Sequence, residues 1–363
     1  MNNVKDRILN NELFNKIVTA EKAAASINDG DNVGVSGFTP AGYPKVVPLA
    51  LAKRIKNIKE TKGKIFKINL FSGASTGPEI DHALTEVNGI NKRIPYQTTV
   101  AIRDAINCGK ILYKDISLGK VAQKSRAGVL CGHLDVAIIE AIKITPEGYI
   151  IPSTAVGNSP SFVKTAKKVI IELNIAQPAE LEGMHDVYLL EDPPNRKIVP
   201  ITTSKDKIGT GYIVCDPKKI SHIVISDTLD TARPLAAINE NARTITKHLV
   251  AFLKGEIEAD RLPKNLLPLQ SGVGSVANAV LSGFTQSDFK NLTVYTEVLQ
   301  DGILDLIDVD KLDFASGTSL TLSPEGFKRF NKNIKKYKEK ILLRPQEISN
   351  NIEIIQRLGV IAM

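Results

Sequence analysis

The chain has 363 residues, more than one hydrophobic core usually spans, so two α/β units are the default expectation. Its 43% hydrophobic and 24% charged residues are typical of an ordinary soluble globular protein, and no apolar run approaches the length that spans a membrane. The net charge of +8 suits an anionic ligand, whereas the low aromatic content of 5% and the lack of zinc-finger spacing argue against a nucleic-acid partner.

Predicted strands and helices alternate in the first half of the chain. A helix is predicted at 12–27, where apolar residues recur on one face. Ser159 is predicted to cap a later helix, with Pro160 at its first helical position. The other elements predicted in this half are a strand at 32–38, a helix at 46–55, strands at 64–73 and 135–141, a hairpin around 146–148 and a strand at 169–174. This alternation implies largely parallel sheets.

A charged segment with paired prolines, at 191–207, is predicted to be the linker region. It divides the chain into an N-terminal α/β domain at 1–205 and a C-terminal α/β domain at 206–363. We expect each domain to be an open, mainly parallel sheet with helices outside, and the site to lie in the cleft between them.

The second half resumes the alternation. The run YIVCDPKKISHIVIS, at 212–226, continues the pattern, and a long helix is predicted at 235–253. The run EISNNIEIIQRLG is predicted to be a helix closed by Gly359, and VIAM begins an apolar strand. Because a chain rarely stops one turn into such a strand, we expect the second domain to be incomplete.

The three cysteines stand apart in the sequence. Cys108, Cys131 and Cys215 fit neither a disulfide framework nor a metal site, and such a sparse set is typical of a reducing compartment. The start of the chain is too polar for a signal peptide. These features predict a cytoplasmic protein that holds no metal.

The run FSGASTGPE contains a possible catalytic serine. Its Gly-x-Ser-x-Gly pattern follows a predicted strand, as in the nucleophile elbow of hydrolases, and would make Ser75 the nucleophile with Asp227 and His248 as partners. The strand comes early in the chain for that fold. A glycine-rich turn needed only for its backbone geometry explains the pattern better.

The run QSGVGSVANAV fits a dinucleotide fingerprint. Glu297 lies twenty residues after Ala277, where a ribose-binding carboxylate belongs. That fingerprint requires a strand just before the first glycine, however, and Pro263 and Pro268 oppose one.

Glu297 is also a candidate nucleophile. A carboxylate at the carboxyl end of a buried parallel strand projects into the crevice where α/β proteins bind ligands, and it can attack a thioester carbonyl there. The turn at Gly272, Val273 and Gly274 would open a helix and aim backbone N–H groups at the developing charge. The alternative is a carboxylate at the rim of the sheet that caps a helix or pairs with a lysine.

Four runs, in order, resemble the acetyl-CoA hydrolase/transferase family of type I coenzyme A transferases. They are QSGVGSVANAV, NLTVYTEVLQDGILDLID, FASGTSLTLSPEG and LLRPQEISNN. The upstream runs DGDNVGVSGFTPAGYPKVV, GASTGPEIDHAL and RIPYQTTVAIRDAINCG resemble the same family. The likeness therefore covers nearly the whole chain, and YTEVLQD is its most specific part.

The resemblance implies a role for each candidate residue. Glu297 matches the family's glutamate, which forms an acyl anhydride and then a glutamyl-CoA thioester. Val273, between Gly272 and Gly274, matches a residue whose backbone N–H belongs to the oxyanion hole. Asn350 matches an asparagine near that glutamate, although capping of the following helix is an alternative role for it. Family members continue past Met363, with a segment that contacts coenzyme A.

The sequence therefore predicts a coenzyme A transferase acting on short acyl-CoA and carboxylate substrates, with no cofactor beyond the coenzyme A thioester. Hydrolysis of acyl-CoA at the same site, an inactive acyl-CoA-binding fragment and, more distantly, an NAD-dependent oxidoreductase are the alternatives. A homodimer is implied by the family alone.

Overall fold

Two mainly parallel sheets organise the chain in a computed structural model that describes residues 2–231 and 237–362. The first sheet has the order β4-β3-β2-β1-β5-β7-β8, and β6 pairs with β5 in the antiparallel sense. Its strands are β1 Asn32–Val35, β2 Ile68–Phe71, β3 Ile90–Ile94, β4 Leu112–Tyr113, β5 Leu134–Ile144, β6 Ile150–Pro152, β7 Ala166–Asn174 and β8 Ile220–Ser226.

Helices cover both faces of this first sheet. Successive residues of β5 alternate between the faces: Val136 and Ile138 pack in one apolar cluster, while Ala137 and Ile139 pack in another. The helices of this part are α1 Asn2–Lys5, α2 Ala20–Ala25, α3 Val46–Lys62, α4 Asp81–Glu86, α5 Val100–Asn107, α6 Val121–Arg126 and α7 Ser159–Thr165, with 3₁₀ turns at Asn11–Lys16, Leu118–Lys120, Ala179–Leu181 and Pro217–Lys219.

The second sheet is parallel and has the order β14-β12-β10-β9-β15, and a separate parallel pair joins β11 to β13. Its strands are β9 Leu269–Gln270, β10 Leu292–Tyr295, β11 Val298–Leu299, β12 Leu312–Gly317, β13 Ser319–Leu320, β14 Ile341–Leu343 and β15 Ile361–Ala362. The accompanying helices are α8 Glu240–Glu258, α9 Ser275–Gln286, α10 Asp301–Asp308, α11 Pro324–Lys332, α12 Ile334–Lys338, α13 Gln346–Ser349 and α14 Ile352–Leu358. Within the described residues, no helix is long and apolar enough to cross a membrane.

The α/β class with large parallel sheets is confirmed. The strand predicted at 135–141 lies within β5, the predicted hairpin joins β5 to β6, and the apolar ending forms β15 beside β9. The helix predicted at 46–55 extends as far as Lys62, where Gly63 closes it with a left-handed φ of 60°.

Three predicted helices differ from the observed ones. The helix expected at 12–27 is broken, because Ile17 pairs with Ile223 of β8 and Val18 donates to the Ile223 carbonyl at 2.9 Å. The predicted cap Ser159 is already helical, with Asn158 before it. The long helix expected at 235–253 begins at Glu240, and the start of that prediction lies outside the described residues.

The predicted linker at 191–207 has no helix or strand, yet part of it is firmly packed. Val199 and Ile201 are buried against Tyr295 and Leu358 on the second sheet's side. The domain boundary at 205/206 stays a prediction, although the pairing of β8 with β7 places residues after that boundary in the first sheet.

Backbone hydrogen bonds join the carboxyl ends of the two sheets. Val156 N–H donates to the Thr318 carbonyl at 3.1 Å, and Leu320 N–H donates to the Thr154 carbonyl at 2.8 Å. Gln346 N–H donates to the Gly157 carbonyl at 2.9 Å. The segment at 154–157 therefore acts as the seam between the two sheets.

Gly73 lies where the two sheets pack closely together. A Cβ added there would lie 2.5 Å from the Gly37 carbonyl oxygen and 2.9 Å from Oε1 of Gln346, closer than real Cβ contacts. We therefore expect Gly73→Ala to lower the free energy of unfolding by about 1–3 kcal/mol, measured by denaturant titration. The matched control is Gly211→Ala, which meets nothing within 4 Å and should change stability by less than about 0.5 kcal/mol. Equal stability of the two variants would contradict this packing.

Candidate active site

Glu297 lies just beyond β10, the central strand of the second sheet. Its backbone carbonyl accepts hydrogen bonds from the N–H groups of Thr318 at 2.7 Å and Ser319 at 3.1 Å, which fixes the backbone at this point. Its half-buried side chain accepts a hydrogen bond at Oε1 from the amide Nδ2 of Asn350.

The electrostatic environment of Glu297 differs from that of a surface carboxylate. Among the described residues, no Lys or Arg nitrogen lies within 4.0 Å of the Glu297 carboxylate. Glu297 therefore does not fit the alternative of a rim carboxylate that pairs with a lysine. Burial raises the pKa of Glu297, while the hydrogen bond from Asn350 favours the ionised form and lowers that pKa in opposition. An incompletely compensated carboxylate of this kind is a strong candidate for chemistry.

The two adjacent asparagines have different contacts. The side chain of Asn351 accepts a hydrogen bond from Glu353 N–H at 3.0 Å and caps α14. Asn350 ends α13, and its amide contacts Glu297 instead. The capping role considered for Asn350 thus belongs to Asn351, and the cap also explains why the helix predicted over EISNNIEIIQRLG is broken in two.

Short helix α13 holds Asn350 in place. The Tyr295 hydroxyl donates to the Ile348 carbonyl at 2.5 Å, and the Gln346 amide donates to the Leu118 carbonyl at 2.8 Å. Arg126 donates to both oxygens of Glu347, at 2.7 and 2.9 Å, and also binds Asp192. These are supporting residues that sequence reasoning missed, because Arg126 stands 221 residues before Glu347 and no local pattern links the two.

The glycine turn lies at the same edge of the sheet. Since β9 pairs in parallel with β10, the turn after β9 and Glu297 after β10 leave the sheet on one side. Gly274 has a φ of 124°, which residues other than glycine rarely adopt, and α9 begins directly after it. Val273 is 62% exposed.

The expectation that no strand precedes this turn was wrong. β9 consists of two residues immediately after Pro268, whose carbonyl accepts from Ile361 N–H at 2.8 Å. Proline donates no hydrogen bond but still accepts one, so a short strand can start beside it. The local geometry therefore leaves the dinucleotide interpretation open, and the family has to be decided by other means.

Ser75 does not form a catalytic triad. It is buried, its hydroxyl lies 2.8 Å from the Thr98 hydroxyl, and it accepts from Thr98 N–H at 2.8 Å. Asp227 and His248 make no contact with Ser75 within the described part of the chain, and both are exposed. Close packing explains Gly77, since a Cβ there would collide with the Tyr43 ring.

Comparison with known proteins decides the family. The model of the acetyl-CoA hydrolase/transferase N-terminal domain matches residues 1–225. The chain belongs to the acetyl-CoA hydrolase/transferase family. It is 50% identical over 357 residues to the succinyl-CoA:acetate CoA-transferase of Clostridium kluyveri, a match that covers 98% of this chain and 65% of that protein. It is 44% identical over 366 residues to the acetyl-CoA hydrolase of Schizosaccharomyces pombe, covering 99% of this chain and 70% of that one. The chain thus spans about two thirds of the length of these family members.

Solved structures show the same fold at low identity. RipA from Yersinia pestis superimposes with a TM-score of 0.70 at 19% identity, over 96% of this chain and 72% of that one. The 4-hydroxybutyrate CoA-transferase of Porphyromonas gingivalis gives a TM-score of 0.58 at 16% identity, over 97% and 73% of the two chains. The resemblance noted from the sequence is therefore confirmed for the family and for the fold.

The raised pKa of Glu297 predicts a stability effect. Since folding raises that pKa, the folded protein binds the proton more tightly, and stability is gained as the pH falls through the folded pKa. We expect Glu297→Gln to be more stable than the parent protein at pH 8, with an advantage that shrinks on acidification. Thermal unfolding measured from pH 8 downwards checks this expectation, with Glu258→Gln, at an exposed position, as the control. A stability advantage of Glu297→Gln that does not vary with pH would contradict the raised pKa of Glu297.

Proposed function

We propose that the protein transfers coenzyme A between a short-chain acyl-CoA and a carboxylate, with Glu297 as the nucleophile. The observation that carries the proposal is the half-buried Glu297 carboxylate, which has Asn350 as donor and no cationic partner among the described residues. It stands at the carboxyl end of the central strand, beside a glycine turn that opens a helix. Family membership supplies the chemical context.

In the first step, a carboxylate oxygen of Glu297 attacks the thioester carbonyl carbon. The carbon–sulfur bond breaks, the coenzyme A thiolate leaves with the electron pair, and an acyl-glutamyl anhydride remains. The carbonyl oxygen carries negative charge in the transition state, and we assign the role of stabilising it to Val273 N–H, in the glycine turn that precedes α9. Gly272 and Gly274 allow the backbone to approach the substrate closely.

In the second step, the thiolate attacks the glutamyl carbonyl carbon. The anhydride carbon–oxygen bond breaks, the donor's carboxylate is released, and Glu297 holds coenzyme A as a thioester. An acceptor carboxylate then passes through the same two steps in reverse. The hydrogen bond from Asn350 favours the ionised form of the Glu297 carboxylate and orients it, as near-attack geometry requires.

Transfer is favoured over hydrolysis, although the two differ only in whether a carboxylate or water attacks the enzyme-bound intermediate. A route through an enzyme thioester conserves the energy of the bond for a new acyl-CoA, and the Clostridium kluyveri relative at 50% identity is a succinyl-CoA:acetate CoA-transferase. Acetyl-, succinyl- and propionyl-CoA are the proposed donors. Acyl-CoA hydrolysis, supported by the name of the Schizosaccharomyces pombe relative, is the second candidate, and binding without turnover is the third.

The wider setting rests on the family and the sequence alone. We propose a cytoplasmic homodimer that needs no cofactor beyond the coenzyme A thioester. An NAD-dependent oxidoreductase is disfavoured because the family match covers residues 1–225 and the matched relatives cover nearly the whole chain.

Glu297→Ala should abolish transfer and leave the fold intact. Incubation of the parent protein with succinyl-CoA should add one coenzyme A moiety in an intact mass spectrum, and this addition should be absent from Glu297→Ala. With acetate present, acetyl-CoA should form in excess of free coenzyme A. Glu297→Asp retracts the carboxylate by one methylene and should lose most activity, whereas Glu258→Ala should keep it. Turnover by Glu297→Ala at the parental rate would contradict the mechanism. Formation of free coenzyme A with no acetyl-CoA would favour hydrolysis.

Asn350 and Asn351 form a matched pair of test positions. Asn350→Ala should lower kcat by about ten- to a hundred-fold, because the nucleophile loses its orientation. It should also move the acid limb of the kcat/KM profile to higher pH, since the lost hydrogen bond stabilised ionised Glu297. Asn351→Ala removes a helix cap and should cost about 1 kcal/mol of stability while leaving kcat unchanged. The reverse pattern would show that the wrong asparagine has been assigned.

A further inference from the structure

Side chains on both sides of Glu297 hold the glycine turn. The Gln300 amide Nε2 donates to the Gly272 carbonyl at 2.8 Å, and the Thr296 hydroxyl donates to the Ser271 carbonyl at 3.2 Å. Both donors are buried, Gln300 being only 8% exposed. Two successive carbonyls, one just before the turn and one within it, are therefore fixed by the same short segment that carries the proposed nucleophile.

The bond from Gln300 determines the direction of a second group. The Gly272 carbonyl and the Val273 N–H belong to one peptide unit, which is trans. In a planar trans peptide the C=O and N–H bonds point in opposite directions. Fixing the carbonyl at one end therefore fixes where the Val273 N–H points at the other.

That N–H is otherwise unconstrained. Within the described residues, Val273 N–H donates to no protein acceptor, and glycines stand on both sides of Val273. Glycine allows a wide range of backbone angles, so this peptide could rotate if its carbonyl were released. Burial of the Gln300 amide against the carbonyl opposes such rotation.

The position of Gln300 in its own helix points the same way. Gln300 is the N-cap residue of α10, yet its side chain makes no capping hydrogen bond there. Ser, Thr, Asn or Asp at this position would satisfy a free N–H of the helix, whereas glutamine rarely does. The longer side chain reaches across to the glycine turn instead, so local helix stability does not explain the residue.

We infer that Gln300 is a positioning residue that aims the Val273 N–H at the oxyanion of the transition state, an inference that rests on the proposed function. Gln300 touches no reacting atom itself. Its hydrogen bond also polarises the peptide unit, because a carbonyl that accepts a hydrogen bond strengthens the N–H of the same unit as a donor.

The inference is tested with two variants of Gln300 in the protein assayed with acetyl-CoA or succinyl-CoA and a carboxylate acceptor. Gln300→Met keeps the length of the side chain but cannot donate. We expect kcat to fall by at least about ten-fold while KM for the acyl-CoA changes by less than about three-fold, because the donor acts mainly in the transition state. The control is Asn10→Leu. It removes a hydrogen bond of the same 2.8 Å length, which the Asn10 side-chain amide donates to the Pro146 carbonyl on the β5–β6 hairpin, and it should leave kcat unchanged.

Gln300→Glu adds a readout that a purely structural role would not produce. An ionised carboxylate cannot donate to the Gly272 carbonyl, but a protonated one can. The ratio of kcat for Gln300→Glu to kcat for the parent protein should therefore rise as the pH falls, whereas the same ratio for Gln300→Met should stay flat. Circular dichroism and thermal unfolding of each variant report whether it is folded.

The outcomes separate this inference from the proposed function. A folded Gln300→Met or Gln300→Glu with kcat within two-fold of the parent protein, or a Gln300→Glu ratio independent of pH, overturns the positioning role. A parent protein that forms no coenzyme A adduct and shows no turnover overturns the proposed function instead. An adduct on the parent protein, with the expected kcat losses in the variants, supports both.

Discussion

The hydrogen bond from the Asn350 amide to the Glu297 carboxylate joins residues that follow two different strands of the second sheet. A carboxylate at the end of a buried strand is costly unless donors compensate it, and no cation among the described residues does so. Asn350 follows β14, which is separated from β10 by β12. The chain must therefore cross the end of β12, and it does so with a hydrogen bond between the hydroxyls of Thr318 and Ser349.

The first sheet contributes to this contact without supplying either partner. Arg126 and the Leu118 carbonyl hold α13 from the side of the first sheet, through Glu347 and Gln346. The buried Arg126–Glu347 pair is well satisfied by hydrogen bonds, which is the condition under which a buried ion pair specifies one arrangement. The position of Asn350 therefore depends on how the two sheets meet, and the site needs both sheets.

Local patterns could predict part of this architecture and not the rest. β5 and the β5–β6 hairpin could be predicted because their sequence patterns are local: an apolar run and a turn that contains proline and glycine. The helix expected at 12–27 failed because Ile17 pairs with Ile223, a partner far along the chain. For the site, Glu297 stood out as a polar residue after a buried strand, whereas Asn350 entered only through family resemblance. The roles of Arg126 and Gln300 could not be predicted from local sequence patterns, because they depend on the groups that these side chains contact in the fold: the Glu347 carboxylate and the Gly272 carbonyl.

The two supports of Glu297 differ in their dependence on the sheets. Thr296 and Gln300 donate hydrogen bonds to the glycine turn and its preceding residue. Both lie within the segment that carries Glu297, so these contacts do not depend on the first sheet. The Asn350 contact depends on α13 and hence on the contact between the sheets. A shift of one sheet against the other would therefore change the contact between Asn350 and Glu297 before it changed the contacts of the glycine turn.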